Sequence, residues 1–183
     1  MIMKTMAEQM AFYAAYHRNA RNRATHFIGV PAIAFAILIP MAWVAVSLGG
    51  GQVSLAMAFV FAVLAYYLRL DFLIGITAVI IFVPMLILAE WVAGLTLTTG
   101  LITFAVSFVG GWILQLIGHV FERRRPALAD NLFQVFVAPL FLIAEVYLAL
   151  GFKKTLAAEV KIRMPAHLPS NESAGSQSVA AEG

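Results

Sequence analysis

Cysteine is absent from the chain. That excludes disulfides, iron–sulfur clusters, thiolate zinc sites and a cysteine nucleophile, and it leaves any metal to nitrogen and oxygen ligands. Charge is scarce: 11% of the residues are charged and 62% are hydrophobic, with a mean hydropathy of +0.91. Soluble domains carry about 25% charged residues. The net charge of +3 is small. It resides in clusters at Arg18–Arg23, Arg123–Arg125 and Lys153–Lys154, which suit membrane flanks and not a nucleic-acid surface. No dinucleotide fingerprint and no internal repeat occur. Met1 to Arg23 carries Lys4, Glu8 and three arginines with no apolar core, so no cleavable signal peptide is expected.

What is present is a series of apolar runs. They predict an all-α, multi-pass transmembrane helix bundle with four to five membrane segments and an N-terminal interfacial helix. Met1 to Tyr16 can form that amphipathic helix, with Met6, Met10, Tyr13 and Ala14 near one face. Phe27 to Leu48 is long enough to span. Pro31 falls in its first turn and Pro40 inside it. Gly49-Gly50-Gly51-Gln52 reads as a tight turn. Val53 to Leu68 and Phe72 to Leu88 form a helical hairpin about Arg69 and Asp71. Leu95 to Gly118 is the fourth run, and Gly110-Gly111 would let another helix approach closely. Leu132 to Leu150 is the fifth. It carries Gln134, Pro139 and Glu145 and is expected to span or form a deep hairpin. From Pro165 the tail reads as disordered. Three regions follow: a polar segment over 1–26, a helical bundle over 27–152, and a basic then disordered tail over 153–183.

The arginines mark the cytoplasmic side, since the turns at Gly49–Gln52 and Glu90–Gly94 have no Lys or Arg. Four crossings then return the chain to the face where it began. Two polar islands, Tyr16–Pro31 and Gln115–Asn131, therefore meet on one membrane face. The alanine content points to a bacterial inner membrane, or the endoplasmic reticulum for a eukaryotic chain.

These islands hold the candidate chemistry. Gln115, His119 and Glu122 are spaced i, i+4, i+7 and share a helix face. An imidazole and a carboxylate so placed can be two metal ligands, or a ligand and its orienting partner. His17 and His26 would lie on opposite sides of one straight helix, so sharing a site requires a chain break between them. Asn22 and Thr25 are plausible caps for a helix starting near His26, and Asn22 can face the same way as His26. The candidate metal ligands are thus His17, His26, His119 and Glu122, with Asn22 and Glu122 as candidate catalytic residues. Neutral imidazoles suit iron, zinc, copper or nickel alike. Arg123, Arg124 and Arg125, with Gln115, are candidates for binding a substrate carboxylate or phosphate, although at least one of the arginines is expected to serve as a membrane anchor. Glu145, in an apolar run, needs a partner, and an arginine of the second island is the expected one.

The pattern His17-x4-Asn22-x3-His26-x2-Gly29-x-Pro31, with Gln115-x2-Gly118-His119-x2-Glu122-x3-Pro126-Ala127-Leu128 far downstream, resembles the Mpo1-like family. The likeness runs from about Tyr13 to Gly151 and includes Pro139 and Glu145. It implies an iron(II)-dependent membrane dioxygenase that performs α-oxidation of long-chain 2-hydroxy fatty acids with O2, giving acids one carbon shorter. It also implies His17, His26 and His119 as the family's histidines. The physical picture agrees, with an apolar slot for the acyl chain beneath a polar mouth. Two other readings compete. One is a zinc-dependent lipid hydrolase on the same ligands, and the other is a small transporter or scaffold.

Overall fold

The computed structural model describes residues 5–122 and 134–168. The chain order is α1 (Met6–Tyr16), α2 (Ala20–Ala42), a hairpin of β1 (Ala45–Leu48) and β2 (Gly51–Ser54), α3 (Leu55–Leu70), α4 (Phe72–Ala93), α5 (Leu97–Glu122), α6 (Gln134–Ala149) and α7 (Lys154–Arg163), with a 3-10 turn over Met164–His167. Three helices, α2, α4 and α5, are long and apolar enough to cross a membrane. α3 is apolar but has only 16 residues. The four helices from α2 to α5 run up and down in sequence, which returns the end of α5 to the level where α2 begins.

Several boundaries differ from the sequence expectation. α2 starts at Ala20, not near His26. Its cap is Asn19, whose side chain accepts from the Arg21 N–H at 2.8 Å, so Asn22 and Thr25 lie inside the helix. Pro31 consequently sits mid-helix and not in the first turn. The helix stops at Ala42, well short of Leu48. The remaining residues form an antiparallel hairpin with Ala45 opposite Ser54. Gly49 and Gly50 turn it with φ of 54° and 91°, left-handed values that a two-residue hairpin loop requires. The Ser54 hydroxyl accepts from the Met57 N–H at 3.0 Å and donates to Glu90. This one side chain caps α3 and ties the hairpin to the end of α4.

α2 and α5 pack at backbone distance because glycines face each other. A Cβ on Gly111 would lie 3.0 Å from the Gly29 carbonyl, and one on Gly29 would lie 3.0 Å from the Gly111 carbonyl. Gly110 faces open space, so only one of the two adjacent glycines makes the close approach.

α6, expected to span or form a deep hairpin, is tied to α3 and α4 along its length. The Tyr67 hydroxyl donates to the Phe136 carbonyl, Thr77 Oγ1 and Tyr147 Oη lie 2.7 Å apart, and Lys153 Nζ is 2.7 Å from Asp71 Oδ2. At the other end of the helix the Phe136 ring lies 6.0 Å from that of Phe59, twelve residues from Asp71. After Ala149 the chain bends by 118° into α7, so the two helices make a broken span or a re-entrant loop. Lys153 lies in that bend, beside the α3–α4 corner. Glu145 pairs with Arg23 of the first island at 2.9 Å (Nε–Oε1), while the arginines of the second island, its expected partners, lie outside the described residues.

α1 takes the expected helical form. Thr5 and Glu8 close a capping box: the Thr5 N–H donates to Glu8 Oε2 at 2.7 Å, and the Glu8 N–H to Thr5 Oγ1 at 3.3 Å. The helix is buried on most sides, between α6 and α7, and Gln9 is buried with the apolar residues, its amide donating to Tyr66 Oη at 3.3 Å. Pro165 to His167, expected to begin a disordered tail, lie in the 3-10 turn, with His167 edge-on to Phe12.

Candidate metal centre

The break that two histidines nine residues apart require lies at His17–Asn19, between α1 and α2. Glu122, arriving from the end of α5, stabilises this corner. Its Oε1 accepts from the Arg18 N–H at 3.0 Å, and its Oε2 accepts from the Asn19 N–H at 2.8 Å and Asn22 Nδ2 at 2.9 Å. The two backbone N–H groups stand at the start of α2, outside its own hydrogen-bond ladder, and a carboxylate there is favoured by charge as well. Asn19 Nδ2 donates to the Phe121 carbonyl at 3.1 Å. The two polar islands are thus hydrogen-bonded together.

His17, His26 and His119 converge, all buried, with ligand-capable atoms within 4.8 Å of one another. His17 Nδ1 is 2.8 Å from the Tyr13 carbonyl, and His26 Nδ1 is 2.8 Å from the Asn22 carbonyl. A carbonyl only accepts, so each Nδ1 carries the hydrogen and each neutral ring turns the lone pair of Nε2 inward. The two Nε2 atoms face each other at 3.2 Å. Two lone pairs at that distance repel unless a proton or a cation lies between them. The His119 ring completes the group, with its centroid 5.3 Å from that of His17 and 5.1 Å from that of His26. Three converging imidazoles, two of them held by backbone acceptors, are a donor set for a first-row divalent metal. Glu122 is not a member of this group. It reaches His26 indirectly, through Asn22.

The other candidates divide. Asn22 is fully buried, and Gln115 lines a cavity with the three histidines. Asn22 Oδ1 and Gln115 Nε2 are buried and have no hydrogen-bond partner among the described residues. Arg123, Arg124 and Arg125 lie outside the described residues.

Tyr13 was missed as a site residue, because the sequence placed it only on an apolar face. It gives its carbonyl to His17, stacks its ring on the imidazole at 3.8 Å and 8°, and packs against Phe141 at 4.2 Å. Burial first, and the Glu145 carboxylate second, push its phenol far up from the ordinary value, so the hydroxyl stays protonated. The signal was available in its position four residues before His17.

The cavity holds about 280 Å³. Tyr13, Gln115 and the histidines line one end, and Met41 and Phe59 are the deepest residues on α2 and α3. From His26 to Met41 is about 22 Å along α2. Except at the histidine end its walls are apolar. A deep, apolar cavity ending at a polar cluster has the layout of an amphiphile.

Comparison with known proteins identifies the family of the chain. A family model described as "2-hydroxy-palmitic acid dioxygenase Mpo1-like" matches residues 3–150. The 2-hydroxy-palmitic acid dioxygenase MPO1 of Saccharomyces cerevisiae is 35% identical over 161 residues, covering 85% of this chain and 87% of the yeast protein. No solved structure gives a significant match. The matched residues include all three histidines, Glu122 and both walls of the slot, and the chain belongs to the Mpo1-like family.

Proposed function

We propose that this protein is an iron(II)-dependent membrane dioxygenase that shortens long-chain 2-hydroxy fatty acids by one carbon. The observation that carries the reading is the meeting of the inward-facing imidazoles with a slot about 22 Å deep. A hydrolase would need water at its metal, and here the histidines stand at the end of a predominantly apolar cavity. Hydroxy acid plus O2 balances as shortened acid, CO2 and water. Bound iron would supply open positions for the acid and O2, together with the redox chemistry that O2 requires.

The protein's own residues do the rest. His17, His26 and His119 hold the metal. Glu122 acts one step removed: it fixes Asn22, whose carbonyl orients His26. Gln115 Nε2, buried and unpartnered among the described residues, donates to the head group of the acid. One of Arg123, Arg124 and Arg125 holds the carboxylate through a forked contact. The apolar walls align the tail so that the second carbon lies at the metal and water stays out. The polar end of the bundle faces the cytoplasm of a bacterial inner membrane.

Elemental analysis of the purified protein tests the centre. Near-stoichiometric iron is expected. Each His→Ala variant should lose both metal and turnover, and Glu122→Gln should bind metal about 10–100-fold more weakly. Full metal content in any histidine variant removes that residue from the ligand set. Turnover that survives without O2 favours the zinc hydrolase instead.

A further inference from the structure

A second cavity of about 310 Å³ lies beside the first. α2, α4 and α6 enclose it, while α3 and α5 contribute nothing. Val30, Ala34, Phe82 and Pro139 line both cavities. The partition between them is therefore one side chain thick. α6 walls the first cavity with the residues before Pro139 and the second with the residues after it.

The second cavity differs in what surrounds it. It contains none of the histidines. Phe27 and Ile81 on its lining are 40% and 42% exposed, so it opens sideways, on the face of the bundle that meets lipid. Its walls are apolar apart from the Thr77–Tyr147 hydroxyl pair, 2.7 Å apart, toward the polar end. An amphiphile in the bilayer has the same layout, with a polar head at one level and an apolar tail below it. A long acyl chain does not leave lipid for water without exposing each methylene at a free-energy cost, so the slot has to be filled from the side.

We propose that the second cavity is a lateral vestibule. It receives the acyl chain of an incoming long-chain 2-hydroxy acid from the membrane and passes it to the metal centre when Phe82 moves aside. The Thr77–Tyr147 pair meets the head group on the way. The nature of the passenger rests on the function proposed above.

The test uses the whole protein in lipid nanodiscs with two probes. One is 2-hydroxyhexadecanoic acid, read as turnover. The other is dibromostearic acid, whose bromines quench indole fluorescence. Trp43 and Trp91 are replaced by Phe, which leaves Trp112, on the wall of the first cavity, as the single indole of the three. Ile81→Phe and Val146→Phe then fill the vestibule. These positions are 42% and 44% exposed and do not line the first cavity, and two independent variants guard against misfolding of either. Each should slow the quenching of Trp112 several-fold and raise KM without lowering kcat. Unchanged quenching rates and unchanged KM in both variants overturn the vestibule. Slowed quenching in a protein whose parent never turns over the hydroxy acid overturns the proposed reaction and leaves the vestibule standing.

Discussion

Replacing Gly118 by Ala adds a single methyl group and should cost the protein its metal. A Cβ at that position would lie 2.3 Å from Thr25 Oγ1, 2.4 Å from Asn22 Oδ1 and 3.2 Å from His26 Cε1. The first two distances fall roughly 1 Å short of van der Waals contact. Neither oxygen can yield easily. Thr25 Oγ1 donates to the Asn22 carbonyl at 2.7 Å, and Asn22 Nδ2 is held by Glu122 at 2.9 Å. α5 must therefore move away from α2 by a substantial part of that 1 Å, taking the adjacent His119 away from His26. Metal ligands tolerate about 0.2 Å, so we expect a loss of about 10–100-fold in metal affinity, comparable to the removal of an outer-shell partner. Overpacking itself costs about 1–3 kcal/mol, offset by about 1 kcal/mol from the better helix propensity of Ala. Gly110→Ala is the control on the same helix. It meets nothing within 4 Å and should keep the metal and melt no lower than the parent. Metal titration and thermal melts of the two variants decide the matter. Equal metal affinity in G118A and G110A would refute the claim that the α2–α5 glycine contact sets the geometry of the site.

Two further outcomes follow from the ion pair and the topology. Arg23→Ala should destabilise the protein by about 1–3 kcal/mol, less than the about 3–5 kcal/mol of a buried pair because Arg23 is 40% exposed and its charge is screened by solvent; Arg23→Ala/Glu145→Gln should recover most of that loss in thermal melts, and full additivity of the two single changes would argue against the pair. The chain has no native thiol, so Ala20→Cys and Arg124→Cys report orientation cleanly. Both should react with an impermeant thiol reagent from the cytoplasmic side, and labelling from opposite sides would contradict the shared site.

The histidine cluster was legible because it depends on counting crossings, and apolar runs reveal crossings well. The start of α2 was not, since Asn19, Asn22 and Thr25 are all good caps and the choice is made by Glu122, about a hundred residues away. The end of α2 was hidden because Trp43 to Leu48 are as apolar as the helix before them. Only the Gly49–Gly50 pair signalled a hairpin, and it was read as a turn between helices. α6 has the composition of a span, but Glu145 and Lys153 find their partners, Arg23 and Asp71, on or beside other helices. Such pairings follow from packing and cannot be read from hydropathy. The role of Tyr13 is carried by a backbone carbonyl and a ring face, and neither leaves a motif.

The central claim is that the three buried histidines and the slot beneath them shorten a 2-hydroxy acid at the expense of O2. Mass spectrometry of the products formed by the purified, iron(II)-loaded protein from 2-hydroxyhexadecanoic acid under labelled O2 tests it most directly. The account predicts pentadecanoic acid carrying label from O2, none from hexadecanoic acid, and none from a His119→Ala protein. Equal processing of the hydroxylated and unhydroxylated acids, or a product formed without O2, would contradict it.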